Sequence, residues 1–240
     1  VTDIRRHATL DSTSEEARRL ALAGEHGPLW VIAEEQTKGR GRRGRDWISR
    51  KGNLFASHLL EVDAPAETCA TLSFVAALSA ADTVAALASN ARVTLKWPND
   101  VLLEGRKASG VLLEGAPNGA LQRLIVGIGI NLAHHPEGME TPAISLAAVT
   151  HATHSPEDAL ACLVAAWDRW YALWREGGFA PIRAAWLSRA GGLGETVTVR
   201  TGQSEMMGVF ETLDEDGALR LHLEDGRISR VTAGEVFFSG

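Results

Sequence analysis

"VTLKWPNDVLLEGRKASGVLLEG", residues 93–115, holds short apolar or β-branched runs separated by a Pro-Asn-Asp turn and a Glu-Gly-Arg turn. Such runs read as strands, and turns this short return each strand antiparallel to the one before. The pattern continues through a Pro-Asn-Gly turn at 117–119 into "LQRLIVGIGINL", residues 121–132. This predicts an antiparallel meander and puts a β-sheet at the centre of the fold.

Upstream, "LDSTSEEARRLALAG" (10–24) carries Thr13 three residues before Glu16, a capping-box spacing, and ends on Gly24, so it predicts a short amphipathic helix. "LWVIAEE" (29–35) and "NLFASHLL" (53–60) read as strands, and "ETCATLSFVAALSAADTVAALAS" (67–89), apolar almost all round, as a buried helix. Downstream, Ser155 and Pro156 open a helix in which Leu160, Leu163, Val164, Trp167, Trp170, Tyr171 and Trp174 recur at helical spacing, closed by Gly177 and Gly178. Its tryptophans suit packing on the back of the sheet, an exposed aromatic surface being the alternative. After "RAGGLGE" come "TVTVR", "MMGVFETLD", "ALRLHLE" and "RISRVTAGEVFF", broken by "DEDG" and "EDG" hairpin turns, a pattern that fits a small β-barrel. The fold class is α+β: a central mixed or antiparallel sheet flanked by helices, residues 1–191, with a small β domain at 192–240.

The 240 residues, 45% of them hydrophobic, suffice for a substantial core. A net charge of −6 argues against broad electrostatic binding to nucleic acid or to anionic membrane. Two cysteines, Cys69 and Cys162, make no disulfide framework, and neither a signal pattern nor an uninterrupted apolar run of about 18 residues occurs. The reading is a cytoplasmic protein.

Against that acidic background, "TKGRGRRGRDW" (37–47) gathers Lys38, Arg40, Arg42, Arg43 and Arg45 between three glycines. Mutual repulsion gives folding no reason to collect them, whereas an anion does: glycines let the backbone approach, and guanidinium groups grip phosphate or carboxylate with paired donors. A solvated loop, a nucleic-acid contact and a pocket for a phosphorylated or carboxylated ligand all remain open, and the acidic remainder tilts toward the pocket. No Walker motif is present, and "GRGRRG" matches a dinucleotide fingerprint only by accident.

"KWPNDVLLEGRKASG" offers Asn99 and Asp100 in a turn and Lys107 beside Ala108, Ser109 and Gly110, readable as turn and edge residues or as pocket groups. In "IVGIGINL", Gly127 and Gly129 share one strand face and leave room there, with Asn131 further along it. His134, His135, His151 and His154 read as a surface loop, and no metal site is assigned.

These motifs, in this order and together with "LDSTS", resemble the biotin protein ligase (holocarboxylase synthetase) family over residues 10–132. The tail resembles, in size and strand pattern, that family's small SH3-like domain. The resemblance implies a class II synthetase-like catalytic domain and two steps: ATP and biotin form biotinyl-5′-adenylate, then a lysine of a biotin carboxyl carrier protein, of acetyl-CoA carboxylase or a related carboxylase, takes the acyl group. It implies Mg²⁺ as the counter-ion of ATP, with Asp100 as a helper. By position, Ser12, Thr13, Gln36, Arg40, Gly41, Arg42 and Lys107 match residues that bind biotin or its adenylate. Lys107, Arg40 and Arg42 are the catalytic candidates. Ser14 stands where the family commonly has asparagine and keeps a helix-cap role; with Gly110 and Gly129 it is placed on the biotin side. Trp47, Asn99 and Asn131 resemble adenine- and ribose-side contacts. The "DST" motif falls within the first fifteen residues, so no winged-helix domain and no DNA binding are expected; monomer and homodimer both stay open. The alternatives are a lipoate ligase or octanoyltransferase and a nucleotide- or RNA-binding module.

Overall fold

The computed structural model describes residues 3–116, 121–202 and 204–238. The Pro-Asn-Gly turn at 117–119 lies outside the described residues. Seven strands form the larger sheet: β1 (Asp3–Leu10), β2 (Leu29–Gln36), β3 (Leu54–Val62), β4 (Val93–Lys96), β5 (Asp100–Leu103), β6 (Arg106–Ala116) and β7 (Gln122–Ile130). Their order is β1-β2-β3-β7-β6-β5-β4, antiparallel throughout except for the parallel pair β1 and β2. The meander from β4 to β7 forms as the turns predict. Glu104 and Gly105 both take positive φ between β5 and β6, the backbone twist that a two-residue hairpin loop requires.

β1 escaped the sequence reading. It pairs on one side only, most of its side chains are exposed, and "DIRRHATL" carries no apolar alternation. By contrast β2 is buried on both faces, which makes "LWVIA" continuously apolar. Leu29 and Val31 meet Ala17 and Ala21 of α1 (Thr13–Leu22) on one face. Trp30 and Ile32 enter the main core on the other.

That main core lies under α3 (Leu72–Leu87) and α5 (Pro156–Gly177). The expected single helix from 67 to 89 is two, α2 (Ala66–Ala70) and α3, parted at Thr71, whose hydroxyl donates to Thr68 O and accepts from Trp174 Nε1 at 2.8 Å. By length and composition Ala66–Leu87 is apolar enough to cross a bilayer; here the two helices lie in the core, 67% of their most apolar window being buried. On α5, Trp167 and Trp174 are buried, and Trp167 meets Trp30 of β2 edge-on, so the tryptophans pack behind the sheet. Ser155 Oγ caps α5 by accepting from Glu157 N and Asp158 N. Two short helices fall in stretches to which the sequence reading assigned no element: α4 (Leu146–Thr150) and α6 (Phe179–Leu187).

The tail forms a five-stranded antiparallel sheet from β8 (Thr196–Arg200), β9 (Glu205–Leu213), β10 (Leu219–Leu223), β11 (Ile228–Val231) and β12 (Glu235–Phe238), in the order β11-β10-β9-β8-β12. The last predicted strand is thus two. Asp214 of the "DEDG" turn binds Arg220 and Arg230, so ion pairs hold this turn. The tail joins the larger sheet where Trp97 Nε1 donates to Gly217 O at 3.0 Å, and joins α6 where Arg183 Nε donates to Leu213 O at 2.6 Å.

Candidate active site

Strand β2 delivers the chain into the basic loop at Gln36. The loop closes on itself: Gly41 N donates to Arg45 O at 2.7 Å and Trp47 N to Gly39 O at 2.9 Å. Gly39 is required at the root, because a Cβ there would lie 2.4 Å from both Ser49 Oγ and Trp47 O. Trp47 then turns back over the sheet. A Cβ on Gly129 would meet its indole at 2.5 Å and one on Gly110 at 3.0 Å, and these two glycines are register partners on β7 and β6. The space that the sequence assigns to the glycine strand therefore exists, with the indole lying over part of it. Trp47 Nε1 is buried there with no hydrogen-bond partner among the described residues.

Around this point opens a cavity of about 530 Å³. Every residue that the family resemblance assigned to biotin or the adenylate lines it: Ser12, Thr13, Ser14 and Gln36 at one end, Arg40, Gly41, Arg42 and Trp47 from the loop, and Asn99, Lys107, Gly110, Gly129 and Asn131 from the sheet; Lys38 of the basic loop does not. Arg43, Arg45 and Asp100 line it too.

Two of the five loop cations are held by carboxylates far away in the chain. Arg40 Nη2 binds Glu15 of α1 and lies 3.4 Å from Glu114 of β6. Arg45 makes a two-pronged pair with Glu235 of β12, at 2.9 and 2.5 Å, and this arginine holds the Glu235 carboxyl below its usual range. Arg42 instead donates to the neutral Asn99 Oδ1 at 3.1 Å. Burial, then the charge of Arg43, pushes its guanidinium below the ordinary arginine value. A half-buried cation without a carboxylate partner is electrostatically primed for an anion. Sequence reasoning missed Glu15, Glu114 and Glu235 in these roles, since none lies near the loop in the chain.

Lys107 Nζ sits 2.6 Å from Asp100 Oδ1 and 5.6 Å from the centre of the Trp47 ring. The other Asp100 oxygen lies 3.5 Å from Lys96 Nζ, and both Asp100 and Lys96 are buried. Asp100 is therefore already engaged by two ammonium groups, which suits it poorly as a Mg²⁺ ligand. Among the described residues no three His, Cys, Asp or Glu side chains cluster as a metal site would. His135 and His154 instead contact Ser145 and Thr150 hydroxyls, at 3.1 and 2.7 Å. Asn99 Nδ2 donates to Val111 O, and Asn131 Nδ2 donates to Ile144 O at 3.2 Å, so both amides are fixed by backbone before any ligand arrives.

At the far end the structure corrects the predicted capping. Ser12 is the N-cap of α1, yet no side chain makes a cap hydrogen bond, and Ser14 lies inside the helix. Glu16, the other half of the expected box, pairs with Arg19 at 2.7 Å. Thr13 and Ser14 direct their hydroxyls to Ser57 Oγ at 2.8 and 3.0 Å, and Thr13 N and Oγ1 also reach Gln36 Oε1. Ser57 and Ser49, which complete this network, carry no motif signal.

A glycine-floored cavity with hydroxyls and an amide at one end and guanidinium and ammonium groups at the other can hold an apolar ring body and neutralise anions brought together beside it. That is the layout of an ATP-dependent ligase that activates a carboxylate. Residues 8–131 match the biotin/lipoate A/B protein ligase family, and residues 192–239 match the biotin protein ligase C terminal domain. A biotin–[acetyl-CoA-carboxylase] ligase of Paracoccus denitrificans is 46% identical, covering 97% of this chain and 99% of that protein. One of Mycobacterium tuberculosis is 32% identical, covering 91% and 82%. A biotin protein ligase from Aquifex aeolicus, solved in complex with biotin and ATP, superposes with a TM-score of 0.83 at 30% identity, covering 99% of this chain and 98% of that one. The chain belongs to the biotin/lipoate A/B protein ligase family and is a biotin protein ligase; the lipoate and nucleotide-binder alternatives are not favoured.

Proposed function

We propose that the cavity forms biotinyl-5′-adenylate from biotin and ATP and then presents it to a lysine of a biotin carboxyl carrier protein. One observation carries this assignment of roles: Lys107 and the basic loop face one cavity whose floor is stripped of side chains at Gly110 and Gly129. Ser12, Thr13, Ser14, Gln36, Gly41, Gly110 and Gly129 hold biotin. Arg40, Arg42 and Lys107 gather the biotin carboxylate and the α-phosphate, whose repulsion is the main obstacle to joining them, and Lys107 strengthens its hold as charge builds in the transition state. Trp47, Asn99 and Asn131 serve the adenylate side. Closure of the loop keeps water from the mixed anhydride.

Mg²⁺ accompanies ATP, bound by the phosphates and water in preference to a protein cage. We assign residues 1–191 to catalysis and 192–240 to a supporting C-terminal domain, and place the enzyme in the cytoplasm with its carrier. The test is pyrophosphate release by the purified protein with ATP and Mg²⁺. Release that requires biotin, with biotinyl-AMP recovered from the protein by mass spectrometry, supports the reading. Release that requires lipoate, or none at all, overturns it.

A further inference from the structure

The hydroxyls at the closed end of the cavity have a proton order that the geometry determines, because each end of their chain is a group of fixed polarity. Thr13 N–H can only donate, and it meets Gln36 Oε1 at 2.8 Å; the Trp47 carbonyl can only accept, and Ser49 Oγ meets it at 2.8 Å. Gln36 is thereby oriented, its Nε2 donating to Ser49 Oγ at 2.8 Å. Thr13 Oγ1 lies 3.1 Å from the same Gln36 Oε1, so the Thr13 proton is spent there. The 2.8 Å contact between Thr13 and Ser57 then needs the Ser57 proton, and the 3.0 Å contact between Ser57 and Ser14 needs the proton of Ser14. Donation runs one way, from Ser14 to Ser57 to Thr13 to Gln36.

Ser57 is fully buried on β3, behind the cavity wall. By accepting the Ser14 proton it leaves the Ser14 oxygen with lone pairs only for whatever enters the cavity, and Gln36 Oε1, by accepting the Thr13 proton, does the same for Thr13; both residues line that cavity. We infer that Ser57 is the specificity-determining positioning residue of the biotin site: it fixes Ser14 as an acceptor beside Thr13, whose proton Gln36 holds, so that this end of the cavity selects a ring carrying N–H donors, the ureido edge. The inference rests on the reading of this cavity as the biotin site. A site built for N–H groups rejects an analogue lacking one far better than an apolar pocket rejects a shape change, because its acceptors are left unpaired.

The test compares biotin with an analogue carrying N-methyl in place of a ureido N–H, in wild type and in Ser57→Ala. Wild type should favour biotin in kcat/KM by at least about tenfold. In Ser57→Ala the Ser14 proton loses its acceptor and is free to turn into the cavity. The preference should then fall by about tenfold and the biotin KM rise, while kcat and the ATP KM stay within about twofold. A Ser57→Ala protein that keeps both the preference and the biotin KM overturns the inference. If that variant does not fold, Ser57→Cys, whose thiol keeps the volume with weaker hydrogen bonding, should lose part of the preference; an unchanged preference overturns it equally. Wild type that makes no adenylate from biotin fails the underlying reading first, and the inference with it.

Discussion

Lys107 reaches Asp100 by leaning over Gly110. Its register partner on β5 is Leu102, yet its Nζ lies 2.6 Å from Asp100 Oδ1, and a Cβ on Gly110 would stand 3.3 Å from Lys107 Cε. The glycine gives the side chain its path and the carboxylate fixes where the ammonium ends. Lys107→Ala should lower adenylate formation by at least about tenfold, and Asp100→Asn by a similar factor, with biotin affinity little changed in the latter. Single-turnover measurement of biotinyl-AMP beside calorimetry with biotin checks this; normal turnover in Lys107→Ala removes it from the machinery.

Arg40 separates activity from stability. Its pairs with Glu15 and Glu114 are partly exposed, and such pairs contribute little to folding, about 1 kcal/mol or less. Arg40→Ala should therefore lose at least about tenfold in adenylate formation while its melting temperature moves by less than about 4 °C. A large melting shift with normal chemistry would assign Arg40 to the fold.

Gly129→Ala tests the cavity floor. The glycine does not occupy the left-handed region, so alanine brings no backbone strain, but its methyl meets the Trp47 indole at 2.5 Å. Adenylate formation should fall by about tenfold or more in a protein with unchanged circular dichroism. Full activity would show that the indole and ligand need none of this space.

His58 gives a pH signature. It is buried between Trp30, stacked on it at 4.4 Å, and Trp167, and its Nδ1–H donates to Leu29 O at 3.0 Å. Burial pushes its pKa down from 6.5 to about 4. Between those values the unfolded chain binds the extra proton, so this contribution is complete above 6.5 and is lost as pH falls toward 4. From pH 7 to pH 5 the loss is about 2 kcal/mol. Urea unfolding should show this slope in wild type and a shallower one in His58→Gln; equal slopes would exclude His58 as its source.

Much of this molecule is local in origin and was legible for that reason. The β4 to β7 meander, the Ser155 cap and the tryptophan stripe of α5 follow from turn formers and spacing within a few residues. Glycine-rich and lysine motifs named the cavity wall because their departures from ordinary strand and loop composition have no folding benefit. What stayed hidden depends on partners distant in the chain: β1 exists because β2 lies beside it, Thr13 ignores its helix-capping option for Gln36 and Ser57, and Asp100 is defined by the two lysines it separates. Serines such as Ser49 and Ser57 are ordinary in sequence, and only their burial against polar neighbours gives them a task.

The basic loop is fastened by Arg40 to the first helix and β6, and by Arg45 to the last strand. Its peptide bonds are also the densest run of trypsin cleavage sites in the chain, after Lys38, Arg40, Arg42, Arg43 and Arg45. Brief digestion thus becomes a gauge of assembly: a variant that loses either fastening should be cut in this segment faster than the wild type.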